Sequence, residues 1–407
     1  MLLRSELILL SALFLIQFTH ILDFVIIMPL GKEFMSAFGV DNRGFGIIVS
    51  SYTISAGFFS LISAFFQDRF DRKKTLIFCY IGFIAGTLFC AISPDYRTLV
   101  FSRIMAGAFG GVLGSSILAI LGDIVPFERR GKASGILMAS FSLATIAGVP
   151  IGLRLAHHYG WNSPFLALSG ASALILVYSV FTVPNVTEHL KKRVHVQIIP
   201  YYMNILKEKN HLAAFTLTAV MMMAGFSVIP FISPYMQLNL GFSKLDLELV
   251  YFCGGAATFI TSVLIGFAAD RFGKMATFTV LALLSCIPLL AVTNLPQMEK
   301  WKILLVSTSF FVLVSGRFVP AMAVITSSVN RQENRGGFMS LNTFTQQVAS
   351  GIAATVSSMI ITQSGPEAPL ENYPYVGIIA VICSVLSILI IRMIRVSDPA
   401  HPKNNVK

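Results

Sequence analysis

Charge is what this chain has least of. Asp, Glu, Lys and Arg make up 12% of its 407 residues, where soluble globular domains carry roughly 25%. Hydrophobic residues make up 55%, and the mean hydropathy is +0.76. A chain this long with so few polar side chains cannot coat itself in water, which excludes a soluble globular protein. The five cysteines, Cys79, Cys90, Cys253, Cys286 and Cys383, all sit inside apolar runs, and no CxxC pair occurs. That leaves neither a disulfide framework nor a metal ribbon. GxSxG, HExxH and the phosphate-cradling GxxxxGK[ST] are absent too. No catalytic constellation, metal or cofactor is therefore expected, and ATP-driven work is excluded. The first apolar run reaches Leu30 without a small-residue cleavage site, so it reads as a retained helix.

What the chain does have is long apolar runs. Twelve are long enough to cross a hydrocarbon core of about 30 Å as helices. They cover 7–30, 44–66, 75–92, 96–122, 132–156, 162–183, 211–236, 246–269, 276–294, 300–327, 337–362 and 373–392. The longest polar connection, 184–210, holds Lys191-Lys192-Arg193 and divides them six and six. The expected fold is thus an all-α membrane protein of twelve transmembrane helices in two six-helix, pseudo-symmetric bundles. The bundles would be 1–183 and 211–392, joined by a 184–210 linker and followed by a tail at 393–407.

Two copies of one pattern support the halving. Asp68-Arg69-Phe70-Asp71-Arg72-Lys73-Lys74 returns as Asp270-Arg271-Phe272-Gly273-Lys274, 202 residues on, and Arg130-Gly131 returns as Arg335-Gly336, 205 residues on. Parallel repeats of six helices are a recurring plan of secondary transporters. The basic residues are unevenly shared: 21 Lys and Arg fall on the side of both termini, seven on the opposite side and two within spans. Both termini and the linker are therefore expected in the cytoplasm. The net charge of +11 is mostly this asymmetry, with some attraction to anionic lipid. Scattered over short loops, it does not describe a nucleic-acid surface.

Few ionisable groups lie inside the spans. Asp23 is the acid placed well within one, and a lone carboxyl in hydrocarbon costs about 2.5–3.5 kcal/mol on insertion scales. At 1.5 Å per residue it lies ~10 Å below the outer end of the first span, and Arg103 lies about as deep in the fourth. The two are expected to meet or to exchange partners. Burial and the arginine pull the carboxyl's protonation in opposite directions, as a proton-coupling group requires. A static brace between two helices is the competing reading. His20, one turn before Asp23, is a candidate to share the proton or to bond a neighbouring helix. His157 and His158 read as solvated. Arg317 lies ~25 Å from the outer end; it either snorkels to the surface, binds an anionic group or locks the inner gate. Met221-Met222-Met223 face three directions of a helix and read as filling, not as a copper site. Asn342 and Gln346, four apart on one face, are candidate substrate ligands, with interhelical bonding as the alternative. Gly148, Pro150 and Gly152 promise close approach and a kink in span five.

These motifs resemble the major facilitator superfamily over nearly the whole chain. They are most similar to its twelve-helix drug:proton antiporter branch, which includes arabinose-efflux-type permeases. That family's loop after the second helix reads G-x3-D-R-x-G-R-R/K, which Gly266-x3-Asp270-Arg271-x-Gly273-Lys274 matches. The first copy departs from it, with Ala64 and Asp71 at the two glycine positions. Arg103-x3-Gly107-x2-Gly110-Gly111 is similar to the family's proton-linked arginine-glycine motif, and Gly148-Val149-Pro150-Ile151-Gly152 to its antiporter motif, in a shortened form. The resemblance implies a cytoplasmic gate made by Asp68, Arg69, Arg72, Asp123, Arg130, Asp270 and Arg271. It also implies a monomer in a bacterial inner membrane. The expected activity is proton-coupled efflux of a small organic or amphipathic, multidrug-type compound by alternating access, the partners being substrate, protons and lipid. Import of a small metabolite by proton symport is the alternative, and a non-transporting receptor or enzyme a more distant one.

The charge asymmetry generates a direct test. A fluorescent protein fused after Lys407 is expected to mature and fluoresce, whereas alkaline phosphatase at the same point is expected to be inactive. The reverse pair of results would invert the topology.

Overall fold

The computed structural model describes residues 3–187, 198–329, 334–365 and 367–395. Lys191-Lys192-Arg193, most of the expected 393–407 tail and the side chain of Asp68 lie outside the described residues. Hydrocarbon offers backbone N–H and C=O groups no water, so each segment must close its own hydrogen bonds, and helices result. The first half has α1 (Arg4–Ile26), α2 (Asn42–Phe66), α3 (Arg72–Ala91), α4 (Tyr96–Ile124), α5 (Phe127–Leu143 continuing as Val149–Tyr159) and α6 (Ser163–Thr182). The second has α7 (Lys209–Phe226 continuing as Ile229–Leu240), α8 (Lys244–Phe272), α9 (Lys274–Thr293), α10 (Lys300–Gly316 continuing as Phe318–Ser327), α11 (Arg335–Ile360) and α12 (Tyr373–Ile391). Short helices at Gly31–Phe38 and Ile198–Lys207 lie outside these spans.

Eleven of the twelve are long and apolar enough by composition to cross a membrane, and α11 is the exception. Its polarity has a structural reason: α11 runs along α2, the most extensive helix pairing among the described residues, at the seam between the halves. The scarce acids largely start helices. Asp41, Asp71 and Asp95 accept backbone N–H bonds at 2.9–3.0 Å from Gly44, Lys73 and Thr98 at the beginnings of α2, α3 and α4, where the helix dipole favours negative charge.

The apolar core is shared at one end of the bundle and split at the other. Away from the termini one cluster joins both halves, for example Phe34, Phe45 and Phe165 with Phe231, Tyr373 and Val376. Toward the termini the first half packs around Leu13, Leu76, Phe83 and Ile117, and the second around Leu217, Phe278, Ile325 and Phe338, as separate clusters. Polar contacts follow the same division. Asn42 donates from Nδ2 to the carbonyls of Ser358 (2.7 Å) and Ile361 (2.8 Å), Gln237 to the carbonyl of Pro29 (3.5 Å), and Lys244 pairs with Glu33 at 3.5 Å. These polar links between the halves lie at this end. The two bundles share buried core away from the termini, while toward them α2 meets the second half through Leu61 and the Phe58–Phe344 ring pair at 5.5 Å.

Glycines set how closely helices approach. Gly107 and Gly111 of α4 lie against the backbone of Tyr52 and Ala56 in α2, leaving no room for a Cβ. Between α2 and α11, Gly46, Gly57 and Gly351 lie against the side chains of Ser358, Val348 and Ile54, again with no room for a Cβ. Gly111→Val is expected to lower the apparent melting midpoint by several degrees, reflecting about 1–3 kcal/mol of overpacking. Gly114→Ala, where a Cβ meets nothing within 4 Å, should leave it unchanged. Thermal unfolding of the two purified variants in one detergent checks both.

Candidate functional site

The two charges expected to meet do so. Asp23 of α1 and Arg103 of α4 are 0% and 1% exposed, and Arg103 Nη1 donates to Asp23 Oδ2 at 2.7 Å. Thr87 of α3 donates to the other carboxylate oxygen at 3.1 Å. The Arg103 guanidinium also lies 4.3 Å from the ring centroid of Tyr52 on α2, a cation–π contact. One carboxylate thus ties four helices of the first half together. Neither Thr87 nor Tyr52 stood out in the sequence, because a threonine or tyrosine in an apolar span has no periodic signature. Their sole signal was depth matching that of Asp23.

His20 does not join this hydrogen-bond network. Both its ring nitrogens are buried without a partner, and its ring faces Tyr52 and Phe83 at centroid distances of 6.5 and 6.0 Å. Tyr52 stacks on Phe24 at 5.5 Å, and Phe24 stacks on Phe226 at 5.9 Å. Phe226 belongs to α7, so a line of aromatic rings leads from the ion pair to the other half.

The Gly148-Pro150-Gly152 motif acts on the backbone. Ala144–Gly148 form a π-helical turn directly before Val149–Tyr159, which absorbs the hydrogen bond that Pro150 cannot donate. Gly148 and Gly152 lie against Leu22 and Ile26 of α1. Gly255 of α8 approaches the backbone of Ile146 inside the π turn, so the distortion sits where α5 meets the opposite half.

The described hydrogen bonds of the expected gate residues run within the first half. Arg72 Nε donates to Asp123 Oδ2 at 3.0 Å, and Arg130 donates to the carbonyls of Val125 and Gly122 at 2.8 and 2.5 Å, all within the first half. Arg69, Asp270 and Arg271 are exposed, and Arg271 lies over the neighbouring Phe272 ring. The two repeat copies turn differently. Gly273 has φ +93°, which only glycine adopts readily, while Asp71 at the corresponding place has φ −58°. Besides capping α3, Asp71 accepts from the backbone N–H of Val186 at 3.2 Å, and Arg72 N–H donates to the Val186 carbonyl at 3.3 Å. The departure from the repeat thus anchors the chain that leaves α6.

The three substrate-binding candidates are placed in the second half. Arg317 sits at the break in α10, 0% exposed, and donates from Nη1 to Ser384 of α12 (2.7 Å) and Ser285 of α9 (3.3 Å). In this conformation it turns inward between α9 and α12 and does not snorkel, and its Nε and Nη2 have no hydrogen-bond partner among the described residues. Depth counting placed the Cα but could not say which way the side chain turns. Asn342 is 1% exposed and accepts from Thr218 of α7 at 2.6 Å, the interhelical bond that the sequence left as its alternative. Gln346 is half-buried on α11, and its neighbour Gln347 lies against Gly57 of α2.

Comparison with known proteins agrees with this architecture. The family model described as Major Facilitator Superfamily matches residues 13–226 and again 214–407. The MFS-type transporter YwfA of Bacillus subtilis is 25% identical over 375 residues, 90% of this chain and 87% of that protein. The inner membrane transport protein YdhP of Escherichia coli K12 is 29% identical over 215 residues, 51% of this chain and 53% of that one. Among solved structures, the partially occluded inward-open xylose transporter XylE of E. coli superposes with a TM-score of 0.77 at 16% identity, covering 96% of this chain and 98% of that one. An inward-facing bacterial homologue of the lysosomal transporter Spinster gives 0.74 at 14%, covering 98% and 100%. At these identities the structural likeness carries the fold alone.

Removing one member of a buried ion pair strands the other and costs about 3–5 kcal/mol. Arg103→Gln and Asp23→Asn are each expected to lower the apparent melting midpoint more than the double variant does. A thermal-unfolding double-mutant cycle in detergent measures it, and additive losses would mean that the two charges do not depend on each other.

Proposed function

We propose, for a chain that belongs to the major facilitator superfamily and is therefore a multi-pass secondary transporter rather than an enzyme, that transport is coupled to protons. In this reading a small organic or amphipathic compound, of the multidrug type, leaves the cell as protons enter. The observation that carries the proposal is the buried Asp23–Arg103 pair at 2.7 Å. A carboxylate in hydrocarbon persists while its cation and hydrogen-bond donors hold it. Once water or substrate displaces Arg103, the carboxylate loses its cation and can take up a proton. Protonation then removes the restraint joining α1, α3 and α4, and the halves rock between their two closures.

The latch through Asn42, Glu33, Lys244 and Gln237 serves as the outer gate. Asp68, Arg69, Arg72, Asp123, Arg130, Asp270 and Arg271 serve as the inner one when the bundles close there. Units 1–183 and 211–392 move as bodies about the 184–210 linker, and the π turn of α5 against α8 is the bend between them. His20 sits beside the pair as a second proton acceptor. The inner membrane of a bacterium suits this assignment, with both termini cytoplasmic and one chain sufficing for the path. The charge pair itself is blind to direction, so proton symport importing a small metabolite is the second reading. Two of the structural neighbours are described as a D-xylose–proton symporter and a xylose transporter, which makes a sugar a sensible member of any substrate panel.

Proteoliposomes with an internal pH dye decide between them. With an acidic lumen, an exchanged compound is expected to alkalinise the lumen in wild type and not in Asp23→Asn. Joint entry of compound and protons would establish symport instead. A full, pH-independent response in Asp23→Asn would sink the coupling role of this acid.

A further inference from the structure

Where the two halves meet away from the termini, a cleft of about 470 Å³ opens at the surface. Small-molecule sites typically measure roughly 300–1,000 Å³, so it has room for a small organic ligand. Its walls come from both halves. Lys32 and Glu33 of the short Gly31–Phe38 helix, and Trp161 between α5 and α6, belong to the first. Gln237 near the end of α7, with Phe242 and Lys244 at the turn into α8, belong to the second. The cleft therefore exists only while these segments are together.

Its charges do not balance. The face away from the termini carries seven Lys and Arg against 21 on the other, so a cation there does nothing for topology. Two of the seven, Lys32 and Lys244, line this cleft, and Glu33 is the one acid lining it among the described residues. Glu33 is 10% exposed and stands 3.5 Å from Lys244. Among the described residues the Lys32 ammonium has no ion pair or hydrogen bond. Neighbouring acids are engaged elsewhere: Asp246 pairs with Lys300 at 2.7 Å, and Glu367 accepts from Ser36 at 3.4 Å. The cleft is one anion short.

Beside the lysines the walls are aromatic. The half-buried Trp161 indole is held by Phe34 and Phe38, at centroid distances of 5.4 and 5.1 Å, and Phe242 lies across from it in the second half. We propose that this cleft binds an organic anion: a carboxylate or phosphate on a ring or hydrocarbon body. Lys32 and Lys244 take the charge, Glu33 holds Lys244 in place, and Trp161 packs on the body. An occupant touches both halves and so favours this conformation over one parted here. Its consequence rests on the transport reading, in which Glu33, Lys244 and Gln237 form the outer gate: the ligand holds that gate shut from outside. Free organic anions and the headgroups of anionic lipids share this chemistry.

Trp161 and Trp301 are the chain's two tryptophans, so in a Trp301→Phe background the emission reports the cleft. The full-length protein in detergent is titrated with cyclohexyl phosphate, cyclohexanol and cyclohexylammonium, which share a body and differ in charge. The phosphate is expected to change Trp161 emission saturably, and the other two are not. Lys32→Gln should weaken that binding about tenfold, the loss of one charge-assisted hydrogen bond, and Lys32→Arg should restore it. No saturable change, an equal response to the cation or the alcohol, or unaltered binding by Lys32→Gln would each overturn the site. In phosphatidylcholine nanodiscs, Lys32-dependent competition from added phosphatidylglycerol identifies a lipid headgroup as the occupant, and its absence a free anion. Binding needs no gradient, so the two readings fail separately. Lys32-dependent binding without proton flux in proteoliposomes removes the transport coupling and leaves the cleft, and flux without such binding removes the cleft.

Discussion

A carboxylate and a guanidinium, both withdrawn from water and 2.7 Å apart, are the constraint around which the first half is built. Neither charge is stable alone at that depth. Each fixes the other, and with them the helices that carry them: α1 through Asp23, α4 through Arg103, α3 through Thr87 and α2 through the Tyr52 ring. The glycines of α4 belong to the same design. Only with Gly107 and Gly111 against the α2 backbone can α4 come close enough for Tyr52 to lie over Arg103. Packing and electrostatics here are one arrangement.

The second half solves the same problem differently. Arg317 has no carboxylate beside it; two serine oxygens take one of its nitrogens, and its Nε and Nη2 have no partner among the described residues. The pseudo-symmetric halves therefore share helices and turn motifs without sharing charge chemistry. The repeat is one of fold, and titratable machinery is concentrated in the first half. The turns diverge too, with a positive-φ glycine in one copy and a helix-capping aspartate in the other.

The conformation follows from where the core is continuous. One apolar cluster crosses between the halves away from the termini, and two separate clusters face each other nearer to them. Hydrogen bonds from Asn42 to the end of α11 reinforce the closed end. The π turn in α5 lies at the line of contact with α8.

Hydropathy determined eleven of the twelve helices, because hydrocarbon admits few backbone solutions and a span must be long and apolar; α11 falls short of that measure and packs along α2. Hydropathy also placed Asp23 and Arg103 at one depth, since 1.5 Å per residue turns sequence position into height. Height is one coordinate of three. Which way a side chain points around its helix depends on the helices packed beside it. Only the tertiary structure decided that Arg317 turns toward α9 and α12 and that Asn342 bonds Thr218. Asn42 shows the same limit: an asparagine at a span's end reads as a helix cap, and only the neighbouring end of α11, more than three hundred residues away in sequence, makes it a latch.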